Sequence, residues 1–420
     1  MKKLTKIILV ALVFRLILAF LVWHPDLRNH MDWGIRFWEY GPAKFFSANV
    51  WSFTWPNQPP GTMYLFAGVR KLFEFIFSIF WWINIKIPPF PSGVITYFED
   101  NLYQALLQLP AILADLGIAW LIYKIVKNKK LATLGVVIFL FNPIVWYNSA
   151  VWGQYDSVIN FLVLLSLYLL LQKKLLLSVL AFGISLYTKA SLAIFLPIFA
   201  VIALKQKHKR LVYLKSFIVL ALVIGLLTLP FSEGEPFSWL YMLYKDKIFT
   251  QQLHVITANA FNLWSGLTGI HEQPNSLMMG PLTYGTWGVL LFILSYIPAL
   301  LLVFKKQDLK SVIWSLSIIA FSTFMLLTNM HERYLYPLFP LLTILVVMDK
   351  KLLKVYWAVS ILSLLNLYNF WFTPRIEPLV SFLSFGDRLM PRILGFVNFG
   401  FFVYLYNRFI KLLPVNKKAK

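Results

Sequence analysis

His331, Glu332 and Arg333 follow one another between two apolar stretches, and Lys189 stands at the tip of another apolar pair. Ionisable residues at the edge of a membrane-length hydrophobic run are costly and mark functional sites by default. An arginine fork matches two phosphate oxygens, and a lysine adds a point charge. Lys189, His331 and Arg333 therefore predict a cradle for an anionic phosphate at the lipid–water boundary. A carboxylate would complete the chemistry. Asp32 can take the proton of a hydroxyl that attacks an anomeric carbon, and Asp156, in the turn Trp152-Gly153-Gln154-Tyr155-Asp156-Ser157, is a second catalytic candidate that also suits a helix cap. A departing phosphate is already anionic and needs charge stabilisation, not a proton. One base and a cationic cradle suffice, without the paired carboxylates of hydrolases. No cofactor is required; a divalent metal stays open, with nothing in the sequence to support it. The sequence has no cysteine, no Walker loop and no GxGxxG.

Further polar residues fall near these groups in the chain. Arg36 shares a helical face with Asp32, and Gln58 precedes Pro59-Pro60. Trp152, Gln154, Asn259, Asn262, Glu332 and Tyr334 complete the substrate-binding candidates, with amides suited to a hydroxyl-rich ligand. Each has a plainer reading: a surface ion pair for Arg36, snorkelling for Lys189, an ordinary turn for the two asparagines. Asp115 lies within an apolar segment, where a carboxylate must pair or go neutral. It either ties two helices together or reaches toward the site.

These groups need a scaffold, and the composition says which kind. Of 420 residues, 59% are hydrophobic and 13% charged, against about half and a quarter in soluble domains. Twelve apolar segments approach the ~20 residues of a spanning helix: 5–23, 102–126, 131–148, 157–171, 175–188, 191–204, 211–230, 285–304, 311–329, 335–348, 352–371 and 391–409. The short basic segments 2–6, 124–130, 173–174, 205–215, 305–310, 349–354 and 408–420 hold 25 of the 39 Lys and Arg and only two acids, Asp308 and Asp349. By the positive-inside rule these lie in the cytoplasm with both termini. The net charge of +22 is thus a topology signal, not the basic groove of a nucleic-acid binder. Segment 60–83 carries Arg70, Lys71 and Glu74 at its centre, so it reads as a helix at the outer interface. The expected fold is an all-α, polytopic bundle of about twelve spans forming a single domain, 1–420. Two large outer loops, 24–101 and 231–284, and the short outer turns at 148–157, 187–191 and 329–334 carry the polar clusters.

Several segments resemble the GT-C superfamily of integral-membrane glycosyltransferases: Ala150–Ser157, Leu186-Tyr187-Thr188-Lys189, Asn259–Trp264, His331–Pro337, Leu109–Asp115 and Gln58-Pro59-Pro60. The likeness is nearest to bacterial and archaeal mannosyltransferase-like proteins related to the glucosyltransferases of N-glycan assembly. It implies a polyprenyl- or dolichyl-phosphate sugar donor, an outward-facing site in a prokaryotic plasma membrane, and a general base in the first outer loop, here Asp32. A lipid-linked glycan, a protein or an envelope polymer is the implied acceptor; membrane lipids are partners and nucleic acid is not. The expected function is transfer of a hexose, mannose or glucose, by inverting displacement. Asn57 stands where many relatives carry an acid, and Gln108 where a base often stands. The alternative is a transporter or flippase of a lipid-linked or anionic substrate, which should show inverted repeats and a midplane site; the sequence shows neither.

Overall fold

The computed structural model describes residues 2–48, 51–250 and 253–413. Among the described residues the regular elements are helices, apart from one short hairpin, Met278–Met279 with Leu282–Thr283. In chain order the helices are α1 (Lys2–Leu21), α2 (Leu27–Phe45), α3 (Pro60–Lys86), α4 (Gly93–Ile125), α5 (Lys129–Leu140), α6 (Pro143–Tyr147), α7 (Asp156–Leu171), α8 (Leu175–Thr188), α9 (Leu196–Lys205), α10 (Arg210–Thr228), α11 (Pro236–Met242), α12 (Leu263–Thr268), α13 (Tyr284–Lys305), α14 (Leu309–Leu326), α15 (Leu338–Met348), α16 (Leu353–Tyr368) and α17 (Glu377–Ile410).

Every one of the twelve apolar segments falls on helix, but six helices are long and apolar enough to cross a membrane: α1, α4, α10, α13, α14 and α17. The bent run from α5 through α6, broken by 49°, makes a seventh. Helices α7, α8 and α15 and the segment Ala190–Lys205 are apolar but span 10–17 residues. At 1.5 Å per residue such helices reach at most about 25 Å, less than a ~30 Å hydrocarbon core. Helix α3 is not among the membrane-length set; its central charges pair internally, Arg70 with Glu74 at 2.8 Å and Lys71 with Glu74 at 2.7 Å. The i,i+4 and i,i+3 spacings put these three charges on one face.

Two buried polar ties position the bundle around the site. Ser166 and Ser178 bond across the α7–α8 hairpin at 2.9 Å. Deeper in, Arg15 of α1 reaches Asp115 of α4 at 3.4 Å and the Leu140 carbonyl at 2.7 Å, with both charged groups fully buried. Asp115 also accepts a 2.5 Å hydrogen bond from the Tyr336 hydroxyl, which itself accepts one from Ser157 at 3.0 Å. Asp115 is thus the meeting point of two buried contacts. It joins α1 to α4, and through Tyr336 it anchors the segment that carries Arg333. Tyr336→Phe is expected to leave Asp115 and Ser157 short of a partner and to lower stability by about 1–3 kcal/mol. Thermal unfolding of the detergent-solubilised protein reads this directly.

Candidate active site

The site gathers at the start of α2, the turn before α7, the α8 end and the segment before α15. Helix α6 runs into one π-helical turn, Asn148–Trp152, which ends at Gly153 in the left-handed region at φ +72°. A Cβ at Gly153 would stand 2.6 Å from a Leu27 methyl and push it aside, and the positive φ favours glycine there. This tight turn turns Trp152 and Gln154 onto Asp26, the residue just ahead of α2. Gln154 Nε2 donates to Asp26 Oδ2 at 2.6 Å and Trp152 Nε1 to the same oxygen at 3.3 Å. Asn29 Nδ2 donates to Oδ1 at 3.0 Å.

Asp156 opens α7, and its Oδ1 accepts from Lys189 Nζ at 2.9 Å, while its Oδ2 is buried with no partner among the described residues. Lys189 leaves the end of α8 in an extended conformation and also lies 5.2 Å over the Tyr334 ring. Arg333 bonds Glu332 at 2.8 Å and stands 5.8 Å from the Trp152 ring and 5.6 Å from that of Tyr334. Its Nε is buried with no partner among the described residues. The strand-like segment 329–331 is held by the outer loop: Asn329 exchanges bonds with Val255, and Ala258 N–H donates to the Met330 carbonyl at 3.0 Å. Gln58, Asp156, Lys189, His331, Arg333 and Tyr334 line one cavity of about 560 Å³, whose apolar walls include Leu192, Ile194 and Leu327.

Charge is tightly managed here. Burial works against the Arg333 cation, but Glu332, Tyr334, Asp26 and Asp156 more than offset it and hold the proton more firmly than usual. Burial likewise works against ionised Asp26, yet Arg333, His30 and His24 hold its carboxyl down at about 2. Desolvation pushes His331 and His24 down to about 3 and His30 to about 4; Arg333 adds to all three, and Asp26 opposes it. These imidazoles are neutral at pH 7. His24 accepts the Asp26 backbone N–H at Nδ1 (3.0 Å), so its proton sits on Nε2. A histidine harder to protonate folded than unfolded stabilises the fold above its ordinary value near 6.5, and that contribution fades as pH falls toward 3–4. By pH 5.5 each is expected to have lost about 1.4 kcal/mol and the three together roughly 4. A falling unfolding midpoint between pH 7 and 5 checks this; a flat one contradicts it.

The site brings most of the predicted residues together and leaves some apart. Lys189, His331, Arg333, Gln58, Asp156 and Tyr334 share the cavity wall, with Trp152, Gln154 and Glu332 packed behind. Asp26 does not line that wall, and neither does Asp32. Asp32 accepts bonds from the Ser52 backbone and hydroxyl, both at 3.0 Å, and from Arg36 at 3.3 Å. Arg36 turns on to Glu39 at 2.6 Å. Six residues separate Asp26 from Asp32, about 240° around a helix, so the two carboxylates face different ways. Asp26 is the acidic residue that the sequence offered and its reading passed over; its signal was its place directly after the first span, in His24-Pro25-Asp26. Asn262 caps α12 through Ser265 and bonds the Phe324 carbonyl at 3.1 Å. Asn259 bonds the Asn369 carbonyl at 3.1 Å. Both amides are spent on the scaffold. Among the described residues no three His, Asp or Glu side chains converge as a metal-ligand set.

The fold is a bundle of apolar helices, six of them long enough to cross a membrane, and its cavity sets two half-buried cations beside carboxylates. Residues 88–328 match Glycosyltransferase family 87. The match covers more than half of the chain, which belongs to that family and is a glycosyltransferase. It runs from α4 to α14 and so includes Asp156 and Lys189, while Asp26 and Arg333 lie on either side of it. No curated protein matches the chain.

Proposed function

We propose that the chain transfers a hexose, mannose or glucose, from a polyprenyl-phosphate donor to an acceptor hydroxyl on the outer face of a prokaryotic plasma membrane. The observation that carries this reading is the cavity itself. Its cations, Lys189 and Arg333, stand beside neutral His331, and an apolar wall of Leu192, Ile194 and Leu327 adjoins them. A lipid phosphate needs that pairing, because its head must be neutralised where its tail remains in hydrocarbon. In this reading all twelve apolar segments cross or re-enter the bilayer, the termini are cytoplasmic, and α2 and α3 lie at the outer interface.

Asp26 is the base in this mechanism, in place of Asp32. The acceptor hydroxyl gives its proton to Asp26 Oδ2 as its oxygen bonds the anomeric carbon. The bond from that carbon to the phosphate oxygen breaks, and the electron pair leaves with the polyprenyl phosphate. Backside displacement inverts the anomeric centre. A carboxyl at about 2 is a weak base in the free enzyme. An arriving phosphate takes up the Arg333 charge that depresses it, so donor binding itself makes Asp26 more basic. Asp156 keeps Lys189 in place and offers its open Oδ2 to a donor sugar hydroxyl. Asp32 braces the segment that leads to Gln58, through Ser52. Purified protein in lipid nanodiscs, given polyprenyl-phosphate mannose or glucose and a candidate acceptor, should release polyprenyl phosphate. Turnover of a nucleotide sugar with none from either lipid donor would overturn the reading.

A further inference from the structure

A second cavity, of about 400 Å³, lies between α7, α8, α9 and α10. That is the size of a small-ligand pocket, roughly 300–1,000 Å³, in a bundle that is otherwise close-packed. Its wall is apolar except for the hydroxyls of Ser166, Ser178, Ser216 and Tyr213. All four are already engaged. Ser166 and Ser178 bond each other at 2.9 Å, Ser216 donates to the Val212 carbonyl at 2.7 Å, and Tyr213 donates to the Ala203 carbonyl at 2.7 Å. The cavity thus offers a ligand little besides hydrocarbon. Leu196, Leu204 and Phe217 belong to its wall and are also exposed, so it opens as a groove on the side of the bundle.

The two ends of the groove differ. Leu175 and Leu186 both line it and stand eleven positions apart on α8, about 16 Å along the axis. One leaflet of a ~30 Å hydrocarbon core is about 15 Å deep. Toward Leu186 the groove is shut: a Cβ on Gly183 would come within 2.3 Å of a Leu220 methyl, and beyond it Thr228 bonds the Tyr187 hydroxyl at 3.1 Å. Toward Leu175 it meets cations. Lys173 and Lys174 directly precede Leu175, and Lys205, Lys207, Lys209 and Arg210 fill the turn between Leu204 and Tyr213. The chain has no acid between Asp156 and Glu233. Lys205 lies over the Phe304 ring at 3.9 Å. The other five are exposed, and none has an ion-pair partner among the described residues. Lys173 and Lys207 hold φ of +60° and +52°, where glycine is the usual residue. Gln206 fixes this mouth by donating to the Leu170 carbonyl at 2.7 Å and meeting His208 at 2.8 Å.

We propose that the groove holds an acyl chain of an anionic phospholipid, whose phosphate rests on Lys173, Lys174, Lys207, Lys209 and Arg210. Basic pockets between membrane helices bind such headgroups. The depth of the groove matches one leaflet, and the headgroup lies at the end of α8 opposite Lys189. Charge selects the occupant. A polyprenyl tail whose phosphate sits at Lys189 would bring only hydrocarbon to these cations, and its route is closed at Gly183 and Tyr187. The groove and the donor cavity share no lining residue, although Leu196 and Ile194 bring them within two positions of each other. The chain seated between α9 and α10 props the segment that carries Leu192 and Ile194 to the donor cavity. This site does not depend on the proposed transfer chemistry.

Native mass spectrometry of the full-length protein, stripped of lipid in detergent, tests the site. Phosphatidylglycerol is expected to bind at least about tenfold more tightly than phosphatidylcholine with the same chains. The triple change Lys207→Gln, Lys209→Gln and Arg210→Gln should weaken that binding roughly 10–100-fold. Lys350→Gln, Lys351→Gln and Lys354→Gln remove equal charge from a basic turn that does not line the groove, and should leave the affinity within about twofold. Ala200→Trp fills the groove and should remove the preference for phosphatidylglycerol while the bundle stays folded by circular dichroism. The proposal is overturned if phosphatidylcholine binds equally well, if the two triple variants act alike, or if polyprenyl phosphate displaces the bound phosphatidylglycerol.

Discussion

Replacing Asp26 with Asn is expected to lower turnover by roughly 10²–10⁴-fold, the usual worth of a positioned base, while polyprenyl-phosphate binding is kept or strengthened. The change swaps one oxygen for an amide and fits the same space. Gln154 and Trp152 both donate to Oδ2, and the carbonyl of an asparagine still accepts from them. What disappears is the charge that takes the proton. An anion that competes for Arg333 disappears with it, so donor affinity should not fall. Asp32→Asn makes the contrast. Its partners are Ser52 and Arg36, and its loss should cost stability and only a few-fold in turnover. Steady-state release of polyprenyl phosphate separates the two. If Asp32→Asn loses activity at full stability while Asp26→Asn keeps it, the base is Asp32.

The second large effect is at Arg333. Arg333→Met removes the partner of Glu332, a residue only 4% exposed. Burial already raises the Glu332 carboxyl despite the opposing Arg333 charge, so without Arg333 it must take up a proton or pay for an isolated charge. Breaking a buried pair from one side costs about 3–5 kcal/mol. The single variant is therefore expected to unfold readily and to lose donor binding. The pair Glu332→Gln with Arg333→Met removes both charges and should recover most of the stability. Donor affinity should stay at least about 100-fold weaker in both, since a phosphate loses its fork. Recovery of donor binding together with stability would mean that Arg333 is a structural cation, and the thermal midpoint and polyprenyl-phosphate binding read the two quantities separately.

Much of this site could be read along the chain, for a definite reason. Lys189, His331 and Arg333 stood out because charge beside long apolar runs is expensive, and cost is visible in one dimension. Helical segments were visible for the same reason, although length left α7, α8 and α15 short of a full crossing. What the sequence hid were choices of partner. Asp26 and Asp32 are both acids after the first apolar run, and only the turn made by Gly153, which brings Gln154 and Trp152 onto one of them, tells them apart. Asn259 and Asn262 looked suited to sugar hydroxyls, but amides serve backbone carbonyls equally well, and composition cannot say which they meet. Arg15 drew no attention inside the first apolar segment because its partner is 100 residues away.

That separation matters while the protein is being made. At about 5–20 residues per second, the ribosome needs roughly five to twenty seconds to reach Asp115 after Arg15. During that delay the nascent first helix carries an unmatched guanidinium, worth about 2.5–3.5 kcal/mol against insertion. The apolar length of α1 outweighs that cost, and the arrival of α4 then gives the guanidinium its counter-charge in Asp115.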